Sequence, residues 1–359
     1  MIKCLSLSAA ALALILPATL PAQSPDRPAT TDPVFTPAAM RAHVEFLADD
    51  LLKGRDTGSE GHEIAARYVA SQFDGLGLKP AGDADGQGRS WLQRITFQKT
   101  ERTQTPATLT VSGPAGDQRF THAGDVLIGM NAAEPRLDVR APLVFVGYGL
   151  ENQRLGLNDY AGLDVEGKIV VTLRGYPKGL PSEEGAHLSA TKAMVAEKHG
   201  AIGMLSLGTL QSIKARPWAR MVQFADEPDF TWVSPEGKPF DQAPGIRAGA
   251  ALNDPAAQAV FAGAPQSIAA IRKLADRKGG KPRGFALKAS VRIQSDSVSQ
   301  RVTSPNVVAI LPGSDPVLKD QYVVLSAHLD HIGVSPVKPG EPADKDRINN
   351  GALDNGAGI

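Results

Sequence analysis

Residues 322–331 read Tyr-Val-Val-Leu-Ser-Ala-His-Leu-Asp-His, an apolar run that ends in a small polar cluster. Such a continuous apolar run is typical of a central strand that is buried on both faces of a sheet. In open α/β sheets, ligands bind beyond the carboxyl ends of the strands, which is where His328 would lie. Asp330 follows two residues later and would point to the same side of an extended chain. The stretch therefore predicts a site at a strand end, with a carboxylate that orients an imidazole.

A second motif follows the polar loop at 335–347. Residues 349–358 read Asn-Asn-Gly-Ala-Leu-Asp-Asn-Gly-Ala-Gly, and small residues of this kind suit a turn that leads into a helix. Asp354 would stand at the start of that helix, where the helix dipole favours a carboxylate. Alone, His328 would more often be structural and Asp354 would usually be a helix cap. Their combination predicts that the two side chains lie close together and share a metal ion.

The amino terminus has the layout of a secretory signal. Lys3 precedes an apolar run over 5–16, and Pro-Ala-Gln follows at 21–23. The run is shorter than the roughly 20 residues that cross a bilayer comfortably. We expect a signal peptide over 1–22 and a disordered leader over 23–36, with an N-terminal anchor helix or a flexible tail as the alternatives. The mature protein would be exported, to a periplasm or the exterior, without stable membrane insertion.

The composition narrows the chemistry. Lys plus Arg equals Asp plus Glu at 38 each, so no charge excess indicates nucleic acid or a membrane surface as a partner. Cys4 is the single cysteine and would leave with the signal peptide, so any metal must be held by oxygen and nitrogen ligands. The length of 359 residues suggests two domains.

Local patterns predict the secondary structure. Thr36-Pro37 opens a helix with Met40, Val44, Leu47 and Leu51 on its apolar face, and Ser59-Glu60 opens another with Ile64, Tyr68, Val69 and Phe73. Further helices are expected over 189–198 and from Asp254 and Pro265. Residues 215–249 are expected to be irregular. Strands are expected over 92–97, 107–111, 126–128, 142–148, 168–173, 201–207, 286–295, 306–311 and 321–327.

The two C-terminal motifs together resemble the di-zinc aminopeptidase family, whose relatives include glutamate carboxypeptidase and glutaminyl cyclases. The pattern is His-x-Asp-His-x-Gly at 328–333, then Asn-Gly-Ala-x-Asp-Asn-x-Ala-Gly at 350–358. The segment 46–82 is similar to the start of bacterial members. Residues 144–149, 158–160 and 167–170 are similar to the protease-associated domain that some members carry as an insert.

The resemblance implies an α/β fold, a zinc-exopeptidase mixed central sheet flanked by helices and incomplete at the C-terminus, with an inserted β-rich protease-associated α/β domain. It places the N-terminal part of the peptidase domain at 37–125, the insert at 126–284 and a truncated peptidase domain at 285–359. The basic, glycine-rich connector at 278–284 suits a domain boundary.

The resemblance also implies residue roles. His328 would bind one zinc ion, Asp354 would bridge two, and Asp330 would orient His328 rather than bind metal. The peptide bond between Asp354 and Asn355 would be cis, and His331 would have no ligand role. The general base, a Glu, and the remaining ligands would lie beyond Asp354. They are not among these 359 residues, so we expect an inactive fragment that binds metal weakly at best.

For the complete protein, the resemblance implies a zinc-dependent exopeptidase, an aminopeptidase that hydrolyses N-terminal residues from peptides with two Zn²⁺ and an activated water. Two alternatives stay open. One is a non-catalytic secreted binding protein of the same fold. The other is a glutaminyl-cyclase-like acyltransferase, which binds one zinc ion and usually lacks the insert. The sequence leaves the preferred N-terminal residue, the physiological substrate and the oligomeric state undetermined.

Overall fold

The computed structural model describes residues 36–86, 88–337 and 340–359. The expected signal peptide and all but the last residue of the expected leader lie outside these residues. Among the described helices, none combines the length and the apolar character that crossing a bilayer requires.

Two capped helices begin the described chain, as predicted. Helix α1 (Pro37–Leu47) is capped by Thr36, whose hydroxyl accepts from the Ala39 amide at 3.2 Å. Helix α2 (Glu60–Gly75) is capped by Ser59, which accepts from the amide of His62. The predicted extension of α1 to Leu51 was wrong, because a 3₁₀ helix over Asp50–Arg55 replaces it and leaves Leu51 exposed.

The buried face of α2 differs in part from the predicted one. Its buried members are mostly small: Gly61, His62, Ala65, Ala66, Val69 and Ala70. Ile64 is exposed. A Cβ on Gly61 would lie 1.8 Å from the carbonyl oxygen of Leu52. Close packing against the 3₁₀ helix therefore selects small residues at this face and leaves the larger ones outside.

A ten-stranded mixed sheet forms the centre of the structure. In chain order its strands are β1 (Leu92–Arg102), β2 (Thr108–Gly113), β3 (Gly116–Thr121), β4 (Val126–Ile128), β5 (Arg136–Phe145), β6 (Ile169–Leu173), β7 (Gly203–Leu207), β8 (Asp229–Trp232), β9 (Ala248–Leu252) and β10 (Phe285–Val307). The spatial order is β8-β1-β10-β5-β6-β7-β9-β4, with β2 on β10 and β3 on β2. Strands β5, β6, β7 and β9 are parallel, and the other pairs are antiparallel.

Strand β10 joins the two parts of the sheet. Its first half pairs with β5 and β2, and residues 297–307 pair with β1. The sequence predicted two separate strands at 286–295 and 306–311. The polar residues between them belong to one continuous strand, because pairing with β1 satisfies their backbone groups. A short strand at Ala309–Ile310 follows and pairs with Lys79–Pro80.

Helices flank this sheet, which confirms the predicted mixed α/β architecture. They are α3 (Ser182–Ala190), α4 (Lys192–Lys198), α5 (Leu210–Ala215), α6 (Trp218–Val222), α7 (Asp254–Val260) and α8 (Ile268–Ala275). The segment expected to be irregular holds α6 and β8, and the helix expected at 189–198 breaks at Thr191 between α3 and α4. The domain boundaries at 125/126 and 284/285 stay predictions.

The main core lies around the parallel strands. All five residues of β6 are buried, as expected for a strand covered on both faces. Phe145 stands at the end of β5 and packs edge-on against Phe261, which follows α7. Each such fully buried apolar side chain contributes about 1.5–3 kcal/mol to the stability of the fold.

The strand predicted at 321–327 is absent from the structure. Tyr322, Val323, Val324 and Leu325 are 76–92% exposed. A strand that is buried on both faces needs a neighbouring strand on each side, and no described residue pairs with this segment. The helix expected after Asp354 is limited to a 3₁₀ turn at Gly356–Gly358.

Candidate metal centre

The structure brings the two predicted ligands together. His328 Nε2 lies 3.0 Å from Asp354 Oδ1. Both side chains face solvent, with 53% and 72% of their surface exposed. The expected proximity is therefore met, although the buried strand expected just before His328 is absent. The roles of these residues as ligands stay a prediction.

The other ring nitrogen of His328 faces Asp330. Nδ1 lies 3.0 Å from the carbonyl oxygen of Asp330 and 3.5 Å from its carboxylate Oδ1. When Nδ1 carries the proton and donates it to this carbonyl, the lone pair of Nε2 is free and points towards Asp354. A histidine that binds a metal through Nε2 needs this tautomer. The nearer acceptor is thus the backbone of Asp330. Its carboxylate Oδ2 accepts a hydrogen bond from the hydroxyl of Thr57.

A buried arginine joins the two motifs. Arg55 is fully buried, and among the described residues its guanidinium donates to backbone carbonyls alone. Nε donates to Leu329 at 2.9 Å, Nη1 to Asn350 at 2.7 Å and to Leu47, and Nη2 to Gly351 at 3.0 Å. One side chain therefore fixes both segments that carry the candidate ligands against the end of α1.

The turn that places Arg55 has an unusual backbone. Lys53, Gly54 and Arg55 all have left-handed φ values of 48°, 69° and 49°. A Cβ on Gly54 would meet the carbonyl oxygens of Gly333 and Asn349 at 2.5 and 2.6 Å, so only glycine fits there. The turn also pairs with the first motif, through hydrogen bonds from His331 to Arg55 and from Gly333 to Gly54.

Charge and burial act together around this turn. Burial lowers the pKa of Arg55 and of His62 and raises the pKa of Asp56, and the negative charge of Asp330 raises all three pKa values. The His62 ring is buried, with Nδ1 3.0 Å from the Ser304 hydroxyl, so it acts as a neutral structural histidine. The Asp330 carboxylate is thus the counter-charge for the buried arginine.

The second motif closes on itself. The Asp354–Asn355 peptide bond is cis, as the resemblance implied. The amides of Gly356 and Ala357 donate back to Gly351 and Ala352 at 3.0 and 2.8 Å. This compact loop presents the Asp354 carboxylate outward, towards His328.

The donor set fits part of a zinc site. Two ligands at about 2.0–2.2 Å from a tetrahedral ion lie roughly 3.3 Å apart, close to the spacing of His328 and Asp354. Zinc binds about four donors. Among residues 36–86, 88–337 and 340–359, no group of three or more His, Cys, Asp or Glu residues is placed to hold a metal. The described residues therefore supply two donors, which would not hold an ion tightly by themselves.

Comparison with known proteins agrees with the motifs. Residues 306–359 match peptidase family M28. This match confirms the resemblance to the di-zinc aminopeptidase family and does not test the protease-associated insert.

Two further comparisons were made, one with curated proteins and one with solved structures. No curated protein matches the chain. Among solved structures, the chain is similar to an aminopeptidase from Aneurinibacillus sp. strain AM-1, at 20% identity and a TM-score of 0.36. The overlap covers 77% of this chain and 48% of the other, so the chain spans about half the length of that aminopeptidase.

Sequence reasoning found His328, Asp330 and Asp354 but not the residues that support them. Gly54 was expected to end the first helix, Gly54 and Arg55 both lie in the segment 46–82 that carries part of the resemblance, and Thr57 was not singled out. The available signal was a charged residue directly after a glycine at a helix end, which is common and indicates no role.

Proposed function

We propose that this chain forms part of the active site of a zinc-dependent exopeptidase of the aminopeptidase type, which acts on peptides. One observation carries the proposal. The imidazole of His328 and the carboxylate of Asp354 lie 3.0 Å apart within a segment that matches peptidase family M28.

In this proposal His328 Nε2 and the Asp354 carboxylate would hold zinc, with Asp354 shared between two ions. When bound, the ions would polarise the peptide carbonyl and supply a nucleophilic water near neutral pH. The chain's own residues have positioning roles. The Asp330 carbonyl keeps the proton on Nδ1 of His328, and Arg55 holds the two ligand-bearing segments at their spacing.

The proposal also covers export, a protease-associated insert and the source of the remaining ligands. The layout of residues 1–22 supports export. The segments at 144–149, 158–160 and 167–170 support a protease-associated insert over 126–284. Because the described residues supply only two donors, the general base and the other ligands would come from elsewhere, and the 359-residue chain alone would be inactive.

Zinc titration of the purified chain by calorimetry tests the proposal. We expect weak binding by the wild type and a loss of more than about tenfold in affinity for His328→Gln and for Asp354→Asn, since even outer-shell partners of a metal contribute 10–100-fold. Exposed residues of the same types, His187 in α3 and Asp117 in β3, give matched controls as His187→Gln and Asp117→Asn.

The outcome separates the alternatives. If both ligand variants bind zinc as tightly as the controls do, the assignment of the site is wrong. If the wild type binds no zinc at any concentration tested, a non-catalytic binding protein of the same fold becomes the better interpretation of this chain.

A further inference from the structure

A cavity of about 460 Å³ lies beyond the carboxyl ends of the adjacent parallel strands β6 and β7. The turn after β6, residues 174–179, lines one side, and residues 209–215 after β7 line another. Ligands of open α/β sheets bind in the crevice beyond the carboxyl ends of parallel strands. The cavity therefore has the place in the fold that a binding site would have, and it includes none of the candidate metal ligands.

Arg174 stands at this strand end with an uncompensated charge. It is half-buried, and its Nη1 contacts Met221 Sδ at 2.9 Å. Burial lowers the pKa of Arg174, and the positive charge of Arg216 lowers it further, with no carboxylate acting in the opposite direction. An arginine stays protonated in spite of such a shift. Both arginines line the same cleft, and neither has an ion-pair partner among the described residues.

A smaller cleft adjoins the cavity at Arg174 and is also lined by Arg216, Asp254 and Arg272. The other charges at the cavity and at this cleft cancel. They form two ion pairs, Lys178–Asp276 at 2.5 Å and Arg272–Asp254 at 2.7 Å. Arg174 and Arg216 are left as a local surplus of positive charge, in a chain whose formal net charge is zero.

The backbone around Arg174 is held in place. Lys192 is buried, and its Nζ donates to the carbonyls of Leu173 and Gly175 at 2.6 and 2.5 Å, on either side of Arg174. The Arg174 amide donates to Leu207 at the end of β7 at 2.8 Å. A site whose charged group is fixed before binding loses less conformational freedom when a ligand arrives.

We propose that this cavity, together with the adjoining cleft that Arg174 and Arg216 line, binds a small organic anion whose carboxylate or phosphate group pairs with these two arginines. Tyr148 and Tyr176 line the same cavity and give its wall aromatic surface, so the body of the ligand would be apolar or aromatic. The planar guanidinium matches the two oxygens of a carboxylate or phosphate, which is why arginine recognises such groups.

Calorimetric titration of the 359-residue chain with benzoate, phenyl phosphate and the neutral benzamide tests the proposal. We expect saturable binding of at least one acid and none of benzamide, and the tighter acid identifies the anion. Arg174→Gln should weaken that binding by about tenfold or more, because hydrogen bonds to charged groups contribute strongly. Arg292→Gln on β10 removes an exposed arginine that pairs with Asp138, and it should bind as the wild type does.

Three results would contradict the proposed anion site. Absence of saturable binding by both acids, equal binding of benzamide, or unchanged affinity in Arg174→Gln would each overturn the proposal. If Arg174→Gln does not fold, Arg216→Gln replaces it, since Arg216 is exposed and its loss should weaken binding severalfold without unfolding the chain. These results are independent of zinc binding at His328 and Asp354.

Discussion

Replacing Arg55 with methionine should free both ligand-bearing segments. The guanidinium is fully buried and donates to the carbonyls of Leu47, Leu329, Asn350 and Gly351. Methionine keeps much of the length and bulk of the side chain but donates nothing. All four carbonyls would then lose a partner in a place where water does not replace it easily.

The cost follows from these contacts. A buried acceptor left without a donor costs about 1–3 kcal/mol, and such costs are not additive within one network. Methionine also removes the cost of burying the guanidinium, which offsets part of the loss of stability. We expect a net loss of about 3–5 kcal/mol in the free energy of unfolding, as when one partner of a buried polar network is removed. If the segments open locally, about 3 kcal/mol lowers hydrogen-exchange protection by roughly 100-fold.

Hydrogen exchange measures this directly. The amides of His331 and Gly333 donate to the carbonyls of Arg55 and Gly54 at 3.1 and 3.2 Å, and the amide of Gly356 donates to Gly351 at 3.0 Å. All three should lose protection, while the amides of β6 and β7 keep it. Arg67→Met is the matched control, because Arg67 lies exposed on α2 and pairs with Glu63. An exposed pair of this kind contributes about 0–1 kcal/mol. Protection that stays within about threefold of the control at all three amides would refute the role of Arg55.

Three other predictions test the turn, the core and the exposed segment. Gly54→Ala should lower the free energy of unfolding in urea by at least about 1–3 kcal/mol, because φ is 69° and the new Cβ would overlap the Gly333 carbonyl; a neutral effect would contradict the described turn. Burial lowers the pKa of Lys192 from 10.5 to about 7. Between these values the unfolded chain binds a proton that the folded chain lacks, so the free energy of unfolding should rise with pH in the wild type relative to Lys192→Met. Equal pH dependence of the two proteins would argue against this burial. Val324→Ser and Leu325→Ser should change the free energy of unfolding in urea by less than about 0.5 kcal/mol, since both residues are exposed; a large loss would restore the predicted buried strand.

Local chemistry predicted much of the fold. The caps at Thr36 and Ser59 have hydroxyl groups that bond amides three residues later, which is a short-range arrangement. The apolar run that became β6 was also recognised, as was Val126–Ile128 with its bounds. These elements share a signal that lies within a few residues of the element itself.

The same kind of signal failed at residues 322–325. Their apolar run resembles that of β6, yet β6 is buried and this segment is exposed. The difference lies in the neighbours. Strands β5 and β7 pair with β6 on both sides, whereas no described strand pairs with 321–327. An apolar run predicts a strand only if its partners are present, and partners are a non-local property.

Arg55 shows the same limit at the candidate site. Its Nε donates to a carbonyl 274 positions away, so nothing near Arg55 in the sequence indicates its partners. His328 and Asp354 were predictable because each is a chemically distinctive residue within a short motif. A residue that acts only through backbone carbonyls has no such motif, since any residue supplies a carbonyl.

The ligand pair and the sheet core therefore depend on different contacts. The core rests on apolar burial around β5, β6 and β7, whereas His328 and Asp354 are exposed and depend on one buried guanidinium and one left-handed turn. A metal ion that binds only the ordered arrangement must supply the free energy that orders the two segments. Its apparent affinity is then the intrinsic affinity multiplied by the fraction of chains that are already ordered. The contacts of Arg55 raise that fraction before any metal arrives. In the proposed site, a single side chain without access to solvent thus sets how much of the candidate pair's intrinsic metal affinity the protein can use.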